Sequence, residues 1–246
     1  MFELHHGDCL EVMKTFDNNC VDLVVCDLPY AVTDCKWDNA IPLDKLWEQY
    51  NRIVKPTGTI VLFGQQPFSS TLVESNRKAF SHIWYWLKNN KTGALNVKRM
   101  PMKCVEEILV FRMKGKTTQK PAFTYNPQGL IKLENAKTIH KTNFGELWGK
   151  VKQSPYKQKY TNYPVHVLSY KQDTVRYHPT QKPVKLLEYL IKTYSNEGDV
   201  VLDNTMGSGS TGVACVRTNR KFIGIELTNK YYDVAKERIE KEKEGN

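Results

Sequence analysis

Few patterns restrict a fold as tightly as the run from Asp199 to Glu226. An apolar strand core, Val200-Val201-Leu202, is closed by Asp203, and Asn204-Thr205-Met206-Gly207-Ser208-Gly209-Ser210-Thr211-Gly212 comes next. A small-residue helix is predicted to begin near Ser210, and Lys221 to Glu226 reads as a second strand that ends on an acid. Strand, glycine-rich turn, helix, strand and acid is the βαβ logic by which a sheet holds a nucleotide. Gly207 and Gly209 let the backbone come close to a ligand, and Glu226 is placed to hold ribose hydroxyls. The spacing is not that of a dinucleotide site, since Gly207-Ser208-Gly209 is not followed by x-x-Gly, and there is no Walker lysine. A nucleoside-like ligand without phosphates therefore fits better than a dinucleotide or a triphosphate. A plain glycine-serine loop is the competing explanation, and the acids at both strand ends weigh against it.

This unit stands at an unusual place. A first strand with its glycine loop ordinarily opens a Rossmann-like domain, and here it comes last. If the final helix, 231–243, is followed in space by the strand at 2–6, the sheet becomes continuous and the chain is circularly permuted. Asp8-Cys9 would then close the third strand of that order. Asp8 also suits a helix N-cap, which alone would justify it.

A second strand end carries chemistry of its own. Val21 to Cys26, with the short apolar run Leu23-Val24-Val25, is read as a buried strand that stops at Asp27-Leu28-Pro29-Tyr30. Pro29 cannot donate to a sheet ladder and biases Leu28 away from helix. A carboxylate, a freed carbonyl and an aromatic ring are thus left at the sheet edge where ligands bind. The Asp27 carboxylate and the Leu28 carbonyl can both accept from one exocyclic amino group, while Tyr30 stacks on the heterocycle that bears it. Two acceptors aimed at a delocalised amine pull its nitrogen toward tetrahedral geometry and make the lone pair nucleophilic. Asp-x-Pro-Tyr also occurs in ordinary turns.

Between these ends the chain alternates. Helices are predicted over 10–16, 43–54 and 67–79, and strands over 59–63, 82–87 and 105–111, before helix 183–194 opens on Pro183. Residues 31–42 read as a loop beside the site, with Trp37 as an aromatic in a polar setting. The expected fold class is α/β, a Rossmann-like doubly wound mixed sheet with an antiparallel edge strand. No apolar run reaches membrane-spanning length and no secretory signal is visible. The six cysteines form no Cys-x-x-Cys pair and no metal-ligand cluster, so a reduced cytoplasmic setting and no metal are expected.

The formal net charge is +10, and its location matters more than its size. Residues 112–177 hold 13 Lys/Arg against 3 Asp/Glu, which leaves the rest of the chain neutral. That segment lacks sustained periodicity, and its basic residues are interleaved with Phe123, Tyr125, Phe144, Trp148, Tyr156, Tyr160, Tyr163 and Tyr170. Basic charge for phosphates and rings for stacking fit nucleic acid; a solvated insertion or a dimer arm is the alternative. The division expected is 1–111, a catalytic half; 112–177, a basic recognition insertion with Lys150, Lys152, Lys157 and Lys159 on DNA; and 178–246, a cofactor half.

DNTMGSGSTG, DLPY and HPTQKPVKLLEYLI together resemble an amino-group DNA methyltransferase, and the order of the three is similar to its β class. The resemblance covers nearly the whole chain except most of 112–177. It implies S-adenosylmethionine as cofactor and double-stranded DNA as partner. It places Asp27, Leu28, Pro29 and Tyr30 in the catalytic motif. Asp203, Met206, Gly207, Ser208 and Gly209, with Ser210 and Thr211 at the head of the helix, fall in the cofactor loop. Glu226 falls on the ribose, Asp8-Cys9 on the adenine of the cofactor, and Thr180, Lys182 and Pro183 near its methionine end. The family often has Pro where this chain has Leu28 and Asn204. Since the backbone carbonyl of Leu28 is what is used, that departure should matter little.

The resemblance thus leads to an expectation of N6-adenine methylation on a base taken out of the stack, with the amino nitrogen attacking the sulfonium methyl directly and no cysteine nucleophile. N4-cytosine methylation uses the same geometry, and the resemblance favours adenine because Asp stands at the first motif position. RNA as substrate, and a non-catalytic nucleic-acid-binding protein that keeps the fold, are weaker rivals. A homodimer and a cognate restriction enzyme are compatible partners; a membrane is not.

Overall fold

The computed structural model describes residues 1–30, 40–113, 123–139 and 155–245. These form two compact units, one of Met1–Asn126 with His166–Asn246 and one of Pro127–Val165.

The larger unit is built on an eight-stranded sheet. Its strands are β1 (Phe2–His6), β2 (Val21–Cys26), β3 (Val54–Gly64), β4 (Phe80–Thr92), β5 (Lys103–Arg112), β8 (Val167–Tyr170), β9 (Val200–Asp203) and β10 (Lys221–Glu226), in the spatial order β1-β10-β9-β2-β3-β5-β4-β8. Helices α1 (Cys9–Met13), α2 (Leu43–Ile53), α3 (Phe68–Ser75), α4 (Val184–Tyr194), α5 (Ser210–Arg217) and α6 (Asn229–Glu244) cover its two faces. The first strand of the chain pairs in parallel with the last, Leu4 opposite Gly224. This is the continuity that a permuted order requires. Parallel pairing runs from β1 to β3, and β5 is antiparallel to both its neighbours.

Strand period decides which helix each residue meets. Leu23 and Val25 of β2 face the layer of α4, α5 and α6, packing with Leu187, Leu190, Ile191, Val213 and Ile239. Val24 and Cys26 face the other layer, with Met13, Leu46, Trp47, Tyr50, Ile53 and Leu72. Both clusters are buried, which explains why β2 reads as a continuous apolar run rather than an alternating one. Tyr194 anchors the β4 side, its hydroxyl accepting from Trp84 Nε1–H at 2.6 Å and lying 2.8 Å from His82 Nε2.

Several boundaries move. α1 stops at Met13, so Phe16 lies beyond it. β3 starts at Val54 directly from α2, and carries Pro56 and Gly58 as strand residues beside a register shift between Val21 and Leu23. A side chain at Gly58 would meet Val54 Cγ1 at 2.5 Å and the Asp22 carbonyl at 2.9 Å, so close strand approach explains that glycine. α3 is shorter than expected, ending at Ser75.

The smaller unit is where periodicity misled. It contains a two-stranded antiparallel ribbon, β6 (Ile131–Ile139) with β7 (Tyr156–Thr161). Most of its residues are exposed and none is buried on either face, so no hydrophobic alternation marks the strands. β8 then returns to the larger unit and pairs with β4. Among the described residues no helix is long and apolar enough to cross a membrane.

Candidate active site

The carboxyl ends of β1, β10, β9 and β2 lie side by side, because these four neighbouring strands are all parallel. The chain leaves β9 toward one side of the sheet and β2 toward the other, which opens a crevice at the switch. A cavity of about 340 Å³ occupies it, within the size range of small-molecule sites. Asp27, Leu28, Pro29 and Tyr30 line it, as do Asp8, Cys9, Thr180, Lys182, Asp203, Met206, Gly207, Ser208, Ser210, Thr211 and Glu226. Three segments remote in sequence thus share one chamber.

One wall is held by backbone. Glu226 is buried at the end of β10, and its Oε2 accepts from Gly207 N–H at 2.9 Å while Oε1 accepts from Thr228 N–H at 2.8 Å. Two amides fix the carboxylate and leave further lone pairs toward the cavity. Gly207 has φ +51°, a left-handed turn suited to glycine. Asp203 accepts from Thr205 N–H at 3.2 Å and from Thr211 Oγ1–H at 2.6 Å. Burial pushes its carboxyl up to about 7 against those hydrogen bonds. Asp8 caps α1, accepting from Leu10 and Glu11 N–H at 2.8 and 3.2 Å, as the N-cap reading expects. Arg238 of α6 donates to Ser208 Oγ at 3.0 Å and stacks on Tyr177 at 4.4 Å, bracing the loop from behind.

The opposite wall is held by side chains. Asp27 Oδ1 accepts from the Tyr30 hydroxyl at 2.7 Å, and Oδ2 pairs with Lys182. Lys182 Nζ also lies 3.0 Å from Glu106 Oε1, while Glu106 Oε2 pairs with Lys88. Thr205 Oγ1–H donates to the Asp27 carbonyl at 2.9 Å, tying this wall to the glycine loop. Leu28 is buried, and no described residue donates to its carbonyl. The Tyr30 ring lies 4.7 Å from Phe68 of α3. Burial raises the Asp27 carboxyl above the ordinary range and Lys182 opposes that rise. Burial alone would lower Lys182, but Asp27 and Glu106 hold it above its ordinary value. For Glu106 burial is outweighed by Lys182 and Lys88, which take it below the ordinary range.

Three expectations change in detail. Lys182, expected at the methionine end of a cofactor, spends its charge on Asp27 and Glu106. Pro183 sits at the N-cap of α4, and is not a lining residue. Gly209 is not one either: a Cβ there would lie 2.8 Å from Ala235 Cβ, so its bareness serves the contact of the loop with α6. Lys150, Lys152, Phe144, Trp148 and Trp37 lie outside the described residues. Lys157 and Lys159 are exposed on β7.

The residues missed from sequence are Glu106, Lys88 and His178. A period of two puts Glu106 with Ile108 and Val110, and Lys88 with Trp84 and Trp86, on a face whose apolar members are buried in one core cluster. Opposite charges at the ends of two core-facing rows are the signal that could have found them. His178 packs on Tyr231 at 4.2 Å beside Gly207, and burial, helped by Lys182, lowers it to about 4, so it is neutral at pH 7.

Comparison with known proteins agrees over most of the chain. The N6_N4_Mtase model, described as DNA methylase, matches residues 21–237. Type II methyltransferase M.HpaI of Haemophilus parainfluenzae is 28% identical over 261 residues, covering 97% of this chain and 74% of the relative. DNA adenine methyltransferase YhdJ of Escherichia coli (strain K12) is 27% identical over 249 residues, covering 96% and 81%. Among solved structures, the crystal structure of the M1.HpyAVI-SAM complex superposes with a TM-score of 0.65 at 27% identity, covering 97% of this chain and all of that one.

Proposed function

The chain belongs to the DNA methylase family, as an S-adenosylmethionine-dependent enzyme that methylates an exocyclic amino group of a DNA base, and we propose that the group is N6 of adenine. The observation that carries the reading is one cavity lined by Asp27 and Leu28 together with the glycine loop and Glu226.

The residues present fit the cofactor. Glu226 offers the ribose a carboxylate already oriented by two amides, and Asp8-Cys9 lie beside it on the cavity wall for the adenine ring. Met206, Gly207, Ser208, Ser210, Thr211 and Thr180 supply the remaining wall. When bound, the cofactor supplies an electrophilic methyl group on sulfur. This chain supplies position and charge. Asp27 and the Leu28 carbonyl accept from the two protons of the target amino group, and Tyr30 flanks the base. Lys182 opposes the rise that burial imposes on Asp27 and so favours the charged carboxylate as the acceptor when water is excluded. The base must leave the duplex to reach this depth.

Adenine is favoured over cytosine by Asp at the first position of the catalytic motif and by the name of the relative YhdJ. Residues 112–177 are proposed as the recognition region, with exposed Lys157 and Lys159 on the β6–β7 ribbon toward DNA; a two-stranded ribbon is a shape that the major groove admits. Work in the cytoplasm, a homodimer and pairing with a restriction enzyme of the same specificity complete the proposal. The test is modified-base sequencing of DNA from cells that express the chain. N6-methyladenine at a fixed sequence is expected, whereas N4-methylcytosine alone would overturn the assignment of the base.

A further inference from the structure

β4 does not end where the sheet ends. Cys26 of β2 is level with Leu62 of β3, Leu62 with Leu109 of β5, and Leu109 with Ile83 of β4. β4 runs parallel to β2, and its last paired residue, Thr92, lies nine positions beyond Ile83. Thr92 pairs with Lys103, only six positions from Leu109 along β5, so at about 3.3 Å per residue the projection past the level of Cys26 is roughly 20 Å, the extra β4 residues being taken up at the register shift. β8 accompanies it only as far as Lys88. From there, apart from Asn89 Oδ1 accepting from Gln172 N–H at 3.2 Å, β4 and the start of β5 have no third strand beside them among the described residues, on the edge of the sheet that carries Asp27.

The tip of this arm is ordered and bare. Gly93 has φ +91°, and a turn of 3-10 helix, Ala94–Asn96, comes after it. Asn96 N–H donates to the Gly93 carbonyl at 3.0 Å, and Arg99 and Met100 N–H donate to the Asn96 carbonyl at 2.8 and 3.0 Å. Leu95 on this turn is fully exposed, and Val97 and Met100 are half exposed beside it. Ordinary hairpin tips are polar, so three uncovered apolar side chains call for a partner. Residues 88–105 contain five Lys/Arg and no Asp/Glu. Lys88 is committed to Glu106; Lys91, Lys98, Arg99 and Lys103 flank the apolar tip, and all four are exposed.

We propose that the 88–103 arm is a second DNA-binding element, on which Lys98, Arg99 and Lys103 hold phosphates while Leu95 enters the base stack next to the extruded target. The assignment rests on the DNA methylase reading and adds to it a named wedge. Cations without counter-charges fit a polyanion. An apolar residue among them fits the gap that a flipped base leaves, where side chains of this kind fill and prop an unstacked step. The arm rises from the edge that holds Asp27, so both act on the same stretch of duplex.

The test uses the full chain and an oligonucleotide duplex bearing the site mapped by modified-base sequencing. Methyl transfer by Leu95→Ala is compared on that duplex and on one in which the target base faces an abasic position, where extrusion is already easy. The expected result is a fall in kcat/KM of about tenfold on the intact duplex, with most of the loss restored on the abasic one. Equal losses on both, or none on either, would overturn the wedge. Lys98→Gln with Arg99→Gln should flatten the salt dependence of duplex binding; an unchanged slope overturns the phosphate role. Sedimentation of Leu95→Ala beside the wild type is the third arm. A dimer that dissociates only in the variant would assign the tip to a second copy of the chain instead. If the wild type modifies no DNA at all, it is the methylase reading that fails, not the wedge alone.

Discussion

The two walls of the cavity are built by different means. On the side of β9 and β10, Glu226 is fixed by two backbone amides, and Asp203 by one amide and a hydroxyl eight residues away. On the side of β2, Asp27 is fixed by Tyr30 and by Lys182, which arrives from 155 positions away and is held in turn by Glu106. A backbone-held acceptor keeps its place whatever its neighbours do. An acceptor held by charges keeps its place only while every charge in the chain Asp27, Lys182, Glu106, Lys88 is present. Cofactor binding should therefore be robust to substitution across the cavity, whereas the target-base side should be sensitive to single charges and to pH.

Lys182→Met strains this contrast hardest. It leaves Asp27 and Glu106 as two buried carboxylates without the cation between them, an arrangement in which one of them takes up a proton. Turnover at neutral pH should fall by about a hundredfold, the scale of losing one preorganised electrostatic group. The sign of the pH effect comes from its cause. Lys182 opposes the rise that burial imposes on Asp27, so its removal lets that carboxyl rise further, and the acid limb of the kcat profile should move to higher pH. Glu106→Gln should also lower turnover, but less, because Lys182 stays. An unmoved acid limb in Lys182→Met would mean that the ion pair has no part in the chemistry. Glu226→Ala attacks the other wall. It removes the acceptor proposed for the ribose and leaves Gly207 and Thr228 N–H without their carboxylate, and a charged hydrogen bond is worth about 1.5–3 kcal/mol. Calorimetry should show cofactor affinity reduced by about ten- to a hundredfold, and equal affinity would remove Glu226 from the site. The smallest effect expected is that of Lys157→Gln with Lys159→Gln, which should flatten the salt dependence of DNA binding by roughly one unit of slope per lost phosphate contact.

The same contrast decides what could be read from the sequence. The glycine loop, Asp203 and Glu226 lie on one loop and two neighbouring strands, and their places in the cavity follow from strand ends and turn chemistry. The permuted order was also legible, because a strand at 2–6 and a helix at 231–243 leave one consistent way to close the sheet. Asp27 and Leu28 were legible for the same local reason, Pro29 ending their strand. Lys182 was visible as a cavity residue but its partners were not, since spacing along the chain does not say which carboxylate a long flexible side chain will reach. Glu106 was not seen, because an acid within a basic-to-apolar strand looks like a solvated residue until the facing rows are aligned. The β6–β7 ribbon escaped because polar residues on both faces erase the period that marks a strand.

The division of labour between the walls rests on one carboxylate, Asp27, acting on the target amino group while the cofactor is held elsewhere. Asp27→Asn keeps the volume and exchanges a charged acceptor for a neutral one. Its direct measurement is tritiated methyl transfer to unmethylated DNA, run beside a calorimetric titration of S-adenosylmethionine on the same preparation. In that variant kcat should fall by about a hundredfold or more while cofactor affinity stays at the wild-type value, because Glu226 and the glycine loop are untouched. Near-normal turnover would refute the role of the carboxylate and return Asp27-Leu28-Pro29-Tyr30 to the status of a structural turn.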